Sequence, residues 1–172
     1  MVDLNLTWTC SCCGRQYDKL PMAYALDEPD LWRSLDEEDR PHRGVIGTDT
    51  CVIDDEHYFI RGRIVIPVID CEEPFIWGSW ASVSKESFVR FGQLWDVTIR
   101  ENEPPMPGRF GSDIPIYPAT ADLPCRIVMK NTRRRPSFEI EAPDHPLAIE
   151  QRNGITLDRV KEIASLVLRH SR

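Results

Sequence analysis

The sequence predicts an α+β fold: a single domain over residues 1–172, in which a mostly antiparallel sheet is packed by two main helices and accompanied by a Pro-rich loop. Several β-compatible runs follow one another with only short turns between them, and such connections favour antiparallel pairing. Residues 84–97 and 156–170 carry apolar side chains at helical spacing. Residues 101–118 contain so many prolines and glycines that an ordered loop is expected.

The N-terminal part of the chain predicts a short strand that runs into a cysteine knuckle, over about residues 8–20. Apolar residues alternate with polar ones from Leu4 to Trp8, as in a strand with one buried face. The segment Cys10-Ser11-Cys12-Cys13-Gly14 follows directly. A short acidic helix is expected over residues 27–40, because Pro41 discourages its continuation.

The centre of the chain predicts strands joined by a tight turn. Residues 50–54 and 57–62 are β-compatible runs on either side of the acidic turn Asp54-Asp55-Glu56. Residues 63–70 are almost continuously apolar, which indicates a strand covered on both faces. Pro67 cannot donate a hydrogen bond to a β-ladder, so we expect a bulge or a sheet edge at that position.

Three residues are predicted to cap helices. Ser84 precedes the first main helix and Thr156 precedes the last one, where a side-chain hydroxyl can accept a hydrogen bond from the first turn. Asp144 is expected to cap a short helix over residues 145–152. The apolar faces of the two main helices are formed by Phe88, Phe91 and Trp95 and by Val160, Ile163, Ala164 and Val167.

Residues 123–130 and 137–141 are predicted to form a final pair of strands around the only basic run, Arg133-Arg134-Arg135. Such a run can bind a phosphate group or an acidic partner. The alternative is a solvated hairpin turn, which the acidic net charge of the chain favours.

Composition restricts the partners and the compartment. The formal net charge is −7 and the isoelectric point is about 5.1, so the surface should repel nucleic-acid phosphate and anionic lipid. The longest apolar stretch, residues 64–69, is far shorter than the roughly 20 residues of a membrane span. The first residues lack a basic segment followed by a long apolar run, so we expect a cytoplasmic protein with reduced cysteines.

The cysteine knuckle predicts half of a zinc site. Cys10 and Cys13 have the C-x-x-C spacing, which lets two thiolates bind one ion from a tight turn. Gly14 follows at once and permits the positive φ that such a turn needs. Structural zinc requires four ligands, and we expect Cys51 with His57, or with His42 in its place, to complete the set.

Two alternatives to a zinc site remain open at this point. Buried thiols without a ligand are common, because free cysteine packs as a small apolar side chain. A redox role for the C-x-x-C pair is less favoured, because residues 15–21 do not continue as the amphipathic helix of a thioredoxin-like motif.

Residues 74–83 predict a strand with an unusual pair of indoles, Trp77 and Trp80. Residues three apart lie on opposite faces of a strand, so the two side chains cannot enter the same core. Burial on both faces is the favoured interpretation. The functional alternative is a pocket lined by Trp77, Trp80 and Tyr117, the last of which lies in the Pro-rich loop.

Two classes of function follow. The favoured one is a non-enzymatic binding or interaction protein that recognises another protein and carries a structural metal in its knuckle. The alternative is a metal-assisted hydrolase whose pocket lies near Trp77 and Trp80. The sequence contains none of the common nucleophile-elbow, phosphate-loop or zinc-protease motifs, so it leaves open whether the protein is an enzyme.

Seven short motifs run in order along nearly the whole chain. They are Cys10-Ser11-Cys12-Cys13-Gly14, Cys51-Val52-Ile53-Asp54, Phe59-Ile60-Arg61-Gly62, Ile66-Pro67-Val68, Phe75-Ile76-Trp77-Gly78, Pro115-Ile116-Tyr117-Pro118 and His145-Pro146-Leu147. In order and spacing they resemble the bacterial family called domain of unknown function 2199. The resemblance implies a stand-alone intracellular protein and brings no catalytic residue with it. It directs attention to Cys10, Cys13 and Cys51, whereas Cys71 and Cys125 lie outside the motifs.

Overall fold

The computed structural model describes residues 7–131 and 133–171. Within these residues the chain forms ten strands and five helices, so the mixed α+β class is confirmed. The strands are β1 (Trp8–Thr9), β2 (Gln16–Tyr17), β3 (Ala23–Ala25), β4 (Gly44–Ile46), β5 (Thr50–Ile53), β6 (His57–Ile66), β7 (Phe75–Val83), β8 (Met106–Phe110), β9 (Pro124–Val128) and β10 (Ser137–Ile140). The helices are α1 (Asp30–Arg33), α2 (Arg40–Arg43), α3 (Lys85–Leu94), α4 (Pro146–Asn153) and α5 (Leu157–His170).

Strands β6 to β10 form a closed five-stranded barrel, which differs from the predicted sheet packed by two main helices. Each of these strands pairs antiparallel with the next one along the chain. A meander with an odd number of strands ends in the direction in which it began, so the closing pair is parallel. That pair joins Ser137 of β10 to Arg63 of β6. Strand β3 extends the sheet from β7, and β5 and β4 extend it from β6.

Closure of the barrel requires a glycine in the middle of β6. A Cβ atom at Gly62 would overlap the ring of Phe138 on β10 and would lie 2.9 Å from the carbonyl oxygen of Pro136. Strand β6 is one uninterrupted strand rather than the two runs predicted, and it ends at Ile66 because Pro67 has no N–H for the ladder. The predicted acidic hairpin turn is confirmed, since Ile53 pairs with His57 across it.

The helix caps are partly as predicted. Ser84 accepts a hydrogen bond from Ser87 N at the start of α3, and Thr156 accepts one from Arg159 N at the start of α5. The cap of α4 is the neighbour of the predicted one, because the His145 side chain accepts from the backbone of its first turn. The prediction of a single acidic helix over residues 27–40 is wrong. Two short helices, α1 and α2, occupy this region, and Pro41 lies in the first turn of α2, where its missing N–H costs nothing.

The Pro-rich loop contains more regular structure than predicted, since β8 lies within it. The part that follows β8 is held by Asp113. Its Oδ1 atom accepts hydrogen bonds from Thr120 N at 2.9 Å and from Thr120 Oγ1 at 2.8 Å. A side-chain carboxylate thus replaces the backbone ladder in this segment.

Buried residues form two clusters on opposite faces of β6 and β7. The larger cluster contains Trp77, and the smaller one contains Trp32, Leu35, Cys51, Ile53, Phe59 and Trp80. The predicted N-terminal strand is described only from Trp8 onward, because Leu4 and Leu6 lie outside the described residues. None of the helices in the described part of the chain has the length and apolar character needed to cross a membrane.

Candidate metal centre

The cysteines lie in a short hairpin formed by β1 and β2. The two strands pair antiparallel, with Trp8 opposite Tyr17, and the two rings stack at a centroid distance of 5.1 Å. The Trp8 indole N–H donates to the carbonyl oxygen of Lys19 at 3.0 Å, which ties the end of the hairpin back to its start. These aromatic contacts hold the two strand ends together and leave the turn between them to the cysteines.

The turn itself is closed by two backbone hydrogen bonds. Gly14 N donates to Cys10 O at 2.8 Å, and Cys10 N donates to Arg15 O at 2.9 Å. Gly14 has a φ of +69°, a conformation that costs a residue with a side chain free energy. Because the chain turns so tightly, the Sγ atoms of Cys10, Cys12 and Cys13 all lie within 4.8 Å of one another.

The turn is attached to the rest of the protein by a hydrogen bond to α5 and by the burial of Cys10. Ser11 N donates a hydrogen bond to Ser165 Oγ on α5 at 3.1 Å. Cys10 is fully buried in the larger core cluster, Cys12 is half-buried, and Cys13 is exposed. The three sulfur atoms therefore run from the protein interior to the solvent.

The two inner thiols contact each other through their sulfur atoms. The Sγ atoms of Cys10 and Cys12 are 2.8 Å apart. The hydrogen bond from Cys12 lowers the pKa of Cys10 to about 6, and the same contact raises the pKa of Cys12 to about 11. The contact therefore favours the thiolate form of Cys10, which is the form of cysteine that binds metal ions.

The donor set determines which ions suit this turn. Three thiolates are soft ligands, which favour Zn²⁺ and Cu⁺ over Mg²⁺ or Ca²⁺. Within residues 7–131 and 133–171, the side chains grouped closely enough to share an ion are Cys10, Cys12 and Cys13. A tetrahedral ion held by these three sulfurs has one further position for a ligand from elsewhere.

The other predicted ligands lie apart from this group. Cys51 is buried in the smaller core cluster, where burial raises the pKa of its thiol to about 12. His57 is exposed at the start of β6, and His42 is exposed on α2. The structure brings Cys12 to Cys10 and Cys13, and it brings neither Cys51 nor His57 there. From the sequence, Cys12 was one of several possible further ligands and was not chosen, although three cysteines within four positions were the available signal.

The residues predicted to line a pocket are buried side chains. Trp77, Trp80 and Tyr117 expose 3%, 0% and 5% of their surface. Trp77 contacts Tyr117 edge-on at 6.2 Å, whereas Trp80 lies on the other face of β7 and donates its indole N–H to the carbonyl oxygen of Leu26. The Tyr117 hydroxyl donates to Glu150 Oε2 at 2.5 Å, which fastens the Pro-rich loop to α4.

The chain was compared with protein families, curated proteins and solved structures, and it matches one family. No curated protein and no solved structure matches it significantly. The sequence pattern of a bacterial family described as "Uncharacterized protein conserved in bacteria (DUF2199)" matches residues 9–155, a span that includes the whole cysteine turn and the barrel. The chain therefore belongs to the DUF2199 family.

Proposed function

We propose that this protein is a cytoplasmic, non-enzymatic binding protein that holds one thiophilic metal ion, Zn²⁺ first among them, in its N-terminal hairpin. The observation that carries the proposal is the grouping of the three Sγ atoms of Cys10, Cys12 and Cys13 within 4.8 Å. Three sulfurs at this separation repel one another once they are all deprotonated. A divalent cation offsets that repulsion and gains three soft ligands.

The size of the hairpin supports a structural role for the ion. The two strands contribute only two residues each, and an isolated two-stranded hairpin is marginally stable in water. Metal binding supplies folding free energy to segments that are too small to form a core of their own. The ion is thus expected to fix the hairpin against α5, where Ser165 already accepts one backbone hydrogen bond.

The exposure of the outer sulfur supports a binding role. Cys13 is exposed, so the fourth position of the ion is open to a donor from a partner protein. The formal net charge of −7 favours a protein partner over nucleic acid or an anionic membrane. A cysteine or histidine of that partner would complete the coordination.

A metal-assisted hydrolase is the second candidate, because three protein ligands with an open position are also the arrangement of catalytic zinc. One observation weighs against it. Among the described residues the sulfur group includes no carboxylate or histidine to act as a general base. The burial of Trp77, Trp80 and Tyr117 also gives no support to a substrate pocket at that strand.

The test is a metal titration of the full chain with Zn²⁺ and with Co²⁺ as a spectroscopic substitute. We expect one equivalent to bind, with the thiolate-to-cobalt absorption of three sulfur ligands. Cys13→Ser should weaken binding by about 100-fold, a change of roughly 2.7 kcal/mol. Cys71→Ser is the matched control, because Cys71 is a half-buried thiol outside the group, and its affinity should not change. Absence of stoichiometric binding, or equal loss in both variants, would overturn the proposal.

X-ray absorption of the zinc-loaded protein distinguishes the two candidates. A binding role predicts that a purified partner changes the fourth ligand from oxygen to sulfur or nitrogen, and that Cys13→Ser abolishes the complex. Hydrolysis of a test ester that disappears in Cys13→Ser, with water retained as the fourth ligand, would instead favour the hydrolase.

A further inference from the structure

A cleft on the side of the barrel is lined mainly by arginines. It encloses about 430 Å³ and is bordered by Asp49, Arg63, Trp95, Arg133, Arg134 and Arg135. Four guanidinium groups face one carboxylate, so the lining carries a formal charge of +3 in a chain whose net charge is −7. Such a local concentration of positive charge attracts anions.

Among the residues that the structure describes, most of this positive charge has no carboxylate partner. Arg135 Nε donates to Asp49 Oδ1 at 2.7 Å, which accounts for the only carboxylate in the lining. In the described part of the chain, Arg63, Arg133 and Arg134 have no carboxylate partner. The Nε atom of Arg63 is buried and has no hydrogen-bond acceptor among the described residues. A buried donor without an acceptor is destabilising, and an anion that reached it would supply the missing acceptor.

One wall of the cleft is Trp95 and the other is the arginine turn, residues 133–135. A buried cation, Arg100, holds the two walls together. Arg100 is fully buried and donates from Nη1 to the carbonyl oxygens of Leu94 and Trp95, both at 2.9 Å. Its Nη2 atom donates to Arg134 O at 2.9 Å, and its Nε atom donates to Lys130 O. Trp95 and the arginine turn are therefore held at a fixed separation before any ligand arrives, which lowers the entropic cost of binding.

An aromatic cleft adjoins the arginine cleft. It encloses about 480 Å³, and its lining includes Phe88, Phe91 and Trp95. Asp49 and Trp95 border both clefts, so the two clefts lie side by side; the pair is called the depression below, with a cationic end and an apolar end. Both volumes lie in the range of pockets that hold small molecules, roughly 300–1,000 Å³.

We propose that this depression binds a small phosphate monoester with an aromatic group, the phosphate against the arginines and the ring against Trp95. The planar fork of a guanidinium pairs with two phosphate oxygens at once, and an array of such forks suits the doubly charged group of a monoester better than a single carboxylate. The buried ring of Phe91 packs against Trp95 at a centroid distance of 5.4 Å, so the half-buried Trp95 ring provides the apolar surface for the aromatic group. The site is separate from the cysteine hairpin and does not depend on its metal.

The test is calorimetric titration of the full chain with phenyl phosphate, inorganic phosphate and phenol. Phenyl phosphate should bind with a dissociation constant below about 1 mM and about tenfold more tightly than inorganic phosphate. Phenol should show no binding in the same range. Undetectable binding of both phosphates would overturn the proposal, and equal affinities for the two would overturn the assignment of the aromatic end.

Two exposed arginines provide a matched pair of variants. Arg134→Gln should weaken phenyl phosphate and inorganic phosphate alike, by about tenfold. Arg169→Gln removes the same charge from the exposed end of α5 and should leave both affinities unchanged. Trp95→Leu should weaken phenyl phosphate and spare inorganic phosphate. Equal losses in Arg134→Gln and Arg169→Gln would show that net charge alone attracts the probe, and that result would overturn the site.

Discussion

The barrel and the cysteine hairpin hold their shapes by different means. Strands β6 and β7 of the barrel pair over nine positions, whereas β1 and β2 of the hairpin pair over two. The barrel closes through residues far apart in the sequence, such as Arg63 and Ser137, and both faces of β7 carry buried indoles. The hairpin contributes Trp8 and Cys10 to the larger core cluster, and beyond these contacts it depends on its tight turn. We therefore expect the barrel to fold on its core, and the order of the hairpin to depend, under the proposed function, on the ion that its sulfurs bind.

The Pro-rich loop lies between these two cases. Beyond β8 it has neither a ladder nor a core of its own, and the Asp113 carboxylate and the buried ring of Tyr117 hold it in place. Substitutions in the barrel, the Pro-rich loop and the hairpin should therefore differ in how much they change the free energy of unfolding and in how much of the molecule they affect.

The largest effect is expected at Gly62 in the barrel. Gly62→Ala places a methyl group against the ring of Phe138, which is itself fully buried and has no room to move. Overpacking of this kind should lower the free energy of unfolding by about 3 kcal/mol, as measured by urea denaturation. An unchanged free energy of unfolding in Gly62→Ala would contradict the close packing of Phe138 against Gly62.

Gly92→Ala is the matched control for Gly62→Ala. Gly92 lies in α3, and a Cβ atom there would meet nothing within 4 Å. The substitution should raise the free energy of unfolding by about 0.5–1 kcal/mol, because alanine loses less conformational entropy in a helix.

An intermediate effect is expected at Asp113 in the Pro-rich loop. Asp113→Ala removes the acceptor for Thr120 N and Thr120 Oγ1 and should cost about 2 kcal/mol, since hydrogen bonds to a charged acceptor are stronger than neutral ones. Asp144→Ala is the control, because Asp144 is exposed and does not cap α4; a change within about 0.5 kcal/mol is expected there.

The contribution of Asp113 should also depend on pH. Partial burial raises the pKa of its carboxyl, but the hydrogen bonds from Thr120 and Ala121 outweigh burial and hold the pKa below its usual range. Because the pKa of Asp113 is lower in the folded protein than in the unfolded chain, its stabilising effect is complete above the pKa of the unfolded chain, about 3.9. The effect is lost as the pH falls through the lower pKa of the folded protein. The stability difference between the wild-type protein and Asp113→Ala should therefore be constant from neutral pH down to mildly acidic pH and shrink below it. A difference that grows on acidification would contradict this assignment.

The smallest effect is expected at Ser165, where α5 meets the hairpin. Ser165→Ala removes the acceptor of Ser11 N and should cost about 1 kcal/mol. The loss should be local: amide hydrogen exchange should become faster in residues 8–17 and stay unchanged in the barrel. Ser171→Ala, at the exposed end of the same helix, should leave the exchange of the hairpin unaltered. Faster exchange throughout the barrel after Ser165→Ala would show that the two regions fold as one unit.

Features determined by neighbouring residues could be predicted from the sequence. The caps at Ser84 and Thr156 and the acidic turn after Ile53 depend on side chains within a few positions of each other. The burial of Trp77 and Trp80 on opposite faces follows from the two-residue period of a strand. The α+β class could be predicted for the same reason, since it needs only the local patterns of strands and helices.

Features that depend on distant residues could not be predicted in this way. No local pattern indicates that Ser137 meets Arg63 and closes the barrel, or that Cys51 lies in a separate cluster from Cys10. Cys12 was not chosen because the C-x-x-C spacing points to Cys10 and Cys13, whereas the tight turn also brings the side chain between them into the group. The basic run Arg133-Arg134-Arg135 was recognised as a possible phosphate site, but the acidic net charge favoured a solvated turn, and the net charge of a whole chain does not determine the charge of one cleft.

The odd number of strands in the barrel limits how the chain can be rearranged. Strands β6 and β10 are the first and last strands of the barrel and run in the same direction. The start of β6 and the end of β10 therefore lie at opposite ends of the barrel. A circular permutant that linked the end of β10 to the start of β6 could not use a hairpin turn. It would need a crossover of about a dozen residues along the outside of the barrel, as all parallel neighbours do.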